Sequence, residues 1–135
     1  LDVENSPLYP FGYGLSYTRF EYGPLQLSSS ALKGNQVLTA TVQLTNKGNY
    51  AGAEVVQLYI RDLVGSIARP VNELKGFKKI FLKAGESQTE RFSITPQDLK
   101  FYNSALRYDW EPGDFEIKVG TNSRDLQSVK INWVK

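Results

Sequence analysis

A chain of 135 residues suits a single domain that buries roughly two-thirds of the surface its unfolded form exposes. Its 16 Lys and Arg against 14 Asp and Glu leave a formal charge of +2 spread along the sequence, without the basic stripe that nucleic acid requires, and no apolar run nears the ~20 residues of a membrane span. The absence of His and Cys removes Ser-His and Cys-His nucleophilic systems, imidazole and thiolate metal sites, and disulfides.

Neither nucleic acid nor a membrane is therefore an expected partner, and no cofactor or metal is expected. Zero Cys fits a reducing or an oxidising compartment equally. The chain begins Leu1-Asp2-Val3-Glu4, holds no Met and shows no targeting segment, so it is expected to be a piece of a longer polypeptide.

Residues 1–17 read as an extended arm and 18–135 as the folded unit. In the arm Pro7, Pro10, Gly12 and Gly14 interleave with Tyr9, Phe11 and Tyr13, which argues against regular hydrogen-bonded structure. Those aromatics either lie on the domain's own surface or pack against a neighbouring domain. Residues 19–27 look like a first strand kinked at Gly23-Pro24 on a sheet edge, and 28–36 read as a polar loop. Strict alternation over 37–46 puts Leu38, Ala40, Val42 and Leu44 on one face, and the strand expected over 53–61 does the same with Val56, Leu58 and Ile60. Residues 62–72, closed by Arg69-Pro70, form a loop projecting from one end.

Residues 73–95 hold two strands around Lys83-Ala84-Gly85-Glu86-Ser87. Paired as a hairpin, Leu82 falls opposite Gln88 and Ile80, Leu82, Phe92 and Ile94 share one apolar face, which a second sheet must cover. Alternatively Gly85 forms a corner that carries the chain from one sheet to the other. Both geometries give a β-sandwich. Thr95-Pro96-Gln97-Asp98-Leu99 carries the signature of one helical turn. Across a turn at Glu111-Pro112-Gly113-Asp114, Trp110 is expected to pair with Phe115, Tyr108 with Ile117 and Leu106 with Val119. A last strand over 126–134 places Val129 and Ile131 on one face.

Candidate sites are few. Asp109, Glu111, Asp114 and Glu116 are numerous enough for a carboxylate pair of the kind glycosidases use, but their place at a turn and on a solvent face makes them ordinary solvated charges. With Asn122 they lack the ligand spacing of a calcium loop. Sugar-stacking platforms are conceivable at Tyr50, Tyr102, Trp110 and Trp133, with Tyr102 and Trp133 the candidates retained, because Trp110 reads as core.

Tyr9-Pro10-Phe11-Gly12-Tyr13-Gly14-Leu15-Ser16-Tyr17-Thr18, Arg69-Pro70 ahead of Glu73-Leu74-Lys75-Gly76-Phe77, Ala84-Gly85-Glu86, and Trp110-Glu111-Pro112-Gly113-Asp114-Phe115 with Val119-Gly120 together resemble one family. The chain is similar to the C-terminal fibronectin type III-like domain of glycoside hydrolase family 3 enzymes, the β-glucosidases and β-xylosidases. The resemblance implies an all-β, immunoglobulin-like antiparallel sandwich of about seven strands with an extended N-terminal arm. It also implies a parent that hydrolyses β-linked glycosides with retention, through carboxylates whose motifs this sequence does not contain. No catalytic residue is assigned here. Tyr9, Phe11, Tyr13 and Arg69 become candidates for packing on the catalytic domains of the same polypeptide, an oligosaccharide is a second candidate partner, and the expected location is the periplasm or outside the cell.

Overall fold

A computed structural model describes residues 18–63, 72–102, 105–122 and 124–135. The chain runs through β1 (Phe20–Tyr22), β2 (Gln26–Leu27), β3 (Ala31–Lys33), β4 (Leu38–Asn46), β5 (Gly52–Asp62), β6 (Glu73–Leu82), β7 (Ser87–Ile94), a 3-10 turn (Pro96–Leu99), β8 (Phe101–Tyr102), β9 (Tyr108–Asp109), β10 (Gly113–Gly120) and β11 (Leu126–Val134). One sheet is built on β4, which takes β1 and β2 in antiparallel register on one edge and β7 on the other. The second has the order β3-β11-β10-β5-β6. Counting the kinked β1 and β2 as one, the principal strands are the expected seven, and β3, β8 and β9 are short additions.

Alternation decides which side of each strand is buried. Leu38, Ala40, Val42 and Leu44 of β4 turn inward against Val56, Leu58 and Ile60 of β5 and Phe115, Ile117 and Val119 of β10, forming one core between the sheets. Leu44, Leu82, Ile94, Ile117 and Trp133 have no exposed surface at all.

Of the two geometries open for residues 73–95, the structure takes the corner. β6 pairs with β5 and β7 with β4, so the two strands lie in different sheets. The apolar faces of Ile80 and Leu82, and of Phe92 and Ile94, then cover each other across the sandwich instead of lying side by side. Gly85 turns the corner at φ 80, a left-handed conformation that glycine adopts without a Cβ penalty. Its N–H donates to the Asn46 carbonyl at 2.9 Å, and the Lys83 N–H donates to the Glu86 carboxylate at 2.8 Å.

Two further expectations are corrected. Residues 28–36 are not all loop: Leu32 is buried, and β3 adds a parallel edge strand beside β11, with Asn132 N–H donating to the Ser30 carbonyl. The sheet is thus not wholly antiparallel. Nor do Trp110, Tyr108 and Leu106 pair with Phe115, Ile117 and Val119. β10 is already flanked by β11 and β5 and has no edge to offer, so Tyr108 pairs instead with Tyr102 in the β8–β9 ribbon, and Leu106 is exposed with φ 60. The helical turn at 96–99 forms as expected, with Asp98 accepting from the Thr95 N–H at 2.9 Å.

The end of the sandwich where the chain enters is tied by one buried side chain. Asn46 donates through Nδ2 to the carbonyls of Tyr50 at 2.8 Å and Leu82 at 3.1 Å, and accepts through Oδ1 from the Gly48 N–H at 2.9 Å and from the Thr18 hydroxyl.

Candidate interdomain surface

The acidic residues that first suggested chemistry serve the sheet. On β10, Asp114 accepts from the Asn132 amide at 3.0 Å and faces Lys130 at 3.7 Å, while Glu116 lies 3.6 Å from both Arg61 and Lys118. The pairs with Arg61, Lys130 and Asn132 join neighbouring strands and that with Lys118 lies within β10, all on an outer face, where each contributes little. Asp109 accepts from Lys135 and from the Trp110 N–H, and those bonds hold its carboxyl below the usual carboxylate range. Among the described residues no group of three or more Asp and Glu gathers in a metal-holding arrangement.

The two sugar-platform candidates separate. Trp133 is fully buried, donating its indole N–H to the Gly34 carbonyl at 3.0 Å and meeting Trp110 edge-on at 6.4 Å, so it presents no face to a ligand. Two residues beyond Ile131 in a strand of period 2, it shares the inward face with Ile131, opposite to Asn132. Tyr102 is exposed, with its ring 5.0 Å from that of Tyr108 and tilted by 46°, and Tyr50 is exposed at the 46–52 turn. Trp110 is core, as read from the sequence.

Two acids occupy inward positions: Glu90 of β7, buried and 3.9 Å from Lys78 of β6, and Glu54 of β5. Glu54 of β5 shares the inward parity of Val56 and accepts from the Tyr22 hydroxyl of the opposite sheet at 3.0 Å. Burial pushes the Glu54 carboxyl above its usual range, outweighing the Tyr22 hydrogen bond, and burial with the Glu54 charge beside it pushes the Tyr22 phenol far upward. A carboxyl whose folded pKa is raised costs stability as pH rises from the unfolded carboxylate range through the folded value. Glu54→Gln keeps an acceptor for Tyr22 and removes the charge. It should raise Tm modestly at pH 7, leave it unchanged at pH 3, and flatten the slope between, as read by thermal unfolding across that range.

Tyr9, Phe11, Tyr13 and Arg69 lie outside the described residues. What the sequence did not disclose is the outer side of β6, where Leu74, Phe77 and Phe81 are exposed. The available signal was a strand apolar on both faces, Phe77 and Phe81 out of step with Ile80 and Leu82.

Two sheets closed around one core define an immunoglobulin-like sandwich. The chain is 48% identical over 122 residues to the periplasmic beta-glucosidase of Salmonella typhimurium, spanning 90% of this chain and 16% of that protein, and 43% identical over 130 residues to a beta-xylosidase of Formosa agariphila, spanning 95% and 18%. The chain belongs to the fibronectin type III-like domain family, whose model matches residues 54–123, and is such a domain of a glycoside hydrolase family 3 enzyme. Among solved structures, the beta-glucosidase of Listeria innocua in complex with glucose superposes with a TM-score of 0.84 at 41% identity, over 100% of this chain and 19% of that one. The chain thus spans less than a fifth of the length of these relatives, whose catalytic domains lie elsewhere.

Proposed function

We propose that this domain is a non-catalytic structural module that packs on, and stabilises, the catalytic domains of a β-glucosidase-like parent. The observation that supports this most is one of proportion: nearly the whole chain matches a small share of enzymes named for cleaving β-glycosides. The parent hydrolyses β-linked glycosides with retention, using carboxylates supplied outside this chain, and works in the periplasm or outside the cell. Tyr9, Phe11 and Tyr13 of the arm, with Arg69, make contacts to those domains.

Deleting residues 1–14 should leave thermal unfolding of the sandwich unchanged and weaken its association with the separately produced remainder of the enzyme by about tenfold or more in sedimentation. Full association after the deletion would sink the role given to the arm. The exposed Tyr102 and Tyr108 favour a second reading, an ancillary carbohydrate-binding module. Calorimetric titration with cello-oligosaccharides and xylo-oligosaccharides decides between them: heat of binding that Tyr102→Ala abolishes supports sugar binding, and no heat leaves the structural role.

A further inference from the structure

β6 and β7 are both edge strands, joined through the corner at Gly85, yet they meet solvent differently. β7 turns Thr89, Arg91 and Ser93 outward, the polar composition of an edge kept from associating. β6 turns out Phe77 and Phe81, 66% and 65% exposed, and Leu74 at 51%, which a register shift at Leu58/Tyr59 brings opposite Tyr59. Ala53, across from Phe81, and Val55 extend the strip onto β5. Farther across the same face the composition becomes charged, with Arg61, Glu116, Lys118 and Lys130. On this face the large exposed apolar side chains therefore gather on the β6 flank, with only Val134 of β11 exposed apart from them among the described residues, a clustering that marks a contact surface.

The flank also has a defined position in the chain. Leu74 follows the connection that carries Arg69, and Phe81 precedes Leu82, whose carbonyl is held by the same Asn46 side chain that holds Thr18. The strip thus runs about 25 Å along β6, from the Arg69 connection to the point where residues 1–17 join. Between the two phenylalanines on that face stands Lys79, with no ion pair to a described residue.

We infer that this flank is the seat of the remainder of the parent polypeptide, which lays an apolar surface on Leu74, Phe77 and Phe81 and sets a carboxylate against Lys79. The inference rests on the packing role proposed above and adds the face that carries it. The occupant follows from what lies outside the domain: more than four-fifths of the Listeria relative's length, attached in this chain by way of the arm at the Thr18 end of the strip.

The sequence contains no Cys, so a single introduced thiol reports its own surroundings. Phe81→Cys, with Thr89→Cys on β7 as control, is treated with a maleimide in the 135-residue chain and in the full-length enzyme, and labelling is read by peptide mass once each variant is shown to keep the wild-type Tm. Position 81 should react about tenfold or more slowly in the enzyme than in the chain alone, and position 89 equally in both. Equal reaction at position 81 in both, while the domain still co-sediments with the remainder, would overturn the assigned face and leave the packing role intact. Loss of co-sedimentation for the wild-type domain would overturn the packing role and this inference together. Concentration-dependent protection of position 81 in the chain alone would assign the strip to a second copy and overturn the inference.

Discussion

Asn46→Ala is expected to cost about 3 kcal/mol of folding stability, measured by urea unfolding, because three backbone groups lose their partner at once. The carbonyls of Tyr50 and Leu82 and the N–H of Gly48 all bond to this one side chain, which has no exposed surface. Each such group left unpaired in a buried place costs about 1–3 kcal/mol, and partial access of water to the Tyr50 and Gly48 sites reduces the sum. Asn46→Asp tests the direction of those bonds. It preserves shape and the bonds from Gly48 and Thr18, but points a carboxylate oxygen at the Tyr50 and Leu82 carbonyls. The aspartate variant should therefore be least stable at neutral pH, relative to wild type, and recover part of its deficit at acid pH, where a protonated carboxyl donates one hydrogen bond again. A deficit independent of pH would show that donation through Nδ2 is not what the site requires.

Trp133→Ala should be comparably severe, at about 3–5 kcal/mol, the range for deleting a buried aromatic side chain. The indole is wholly enclosed in the second sheet's inner face, touches Trp110 edge-on, and donates to the Gly34 carbonyl, which holds the turn leading from β3 to β4. Trp133→Phe separates packing from hydrogen bonding, since it retains most of the apolar volume and loses the N–H; about 1–2 kcal/mol is expected from the unpaired Gly34 carbonyl and the residual void. The two tryptophans make the measurement direct, because removing Trp133 leaves Trp110 as the one fluorescent indole to follow through the transition.

How much of this was legible depended on whether a strand's neighbours mattered. β4, β5 and β11 announce themselves by alternation, which is local and needs no partner to be read. The pairing of 110 with 115 failed because both residues are indeed core, but cross-strand register depends on which edges are free, and β10 has none. β3 was missed because three residues give too short a run for a period, and its only strong sign is the burial of Leu32. The same limit applied to Trp133, whose parity with Ile131 argues burial while its nearness to the terminus argued exposure. The strip on β6 was written in the sequence as apolar residues on both faces, a pattern equally at home in a fully buried strand, and only its place at the sheet's edge gives it another meaning.

The position of β11 has a consequence for how the domain is made. This strand, near the C-terminal end of the chain, lies between β10 and β3 and brings Ile131 and Trp133 into the core. Synthesis proceeds toward it, so a nascent chain that has emerged only as far as residue 120 has a β10 with one open edge, a β3 without its partner strand, and an Ile117 with no cover from that side. Cooperative folding waits for Val134 to emerge, and until then that open edge is where a nascent chain of this domain is most prone to pair with the wrong strand.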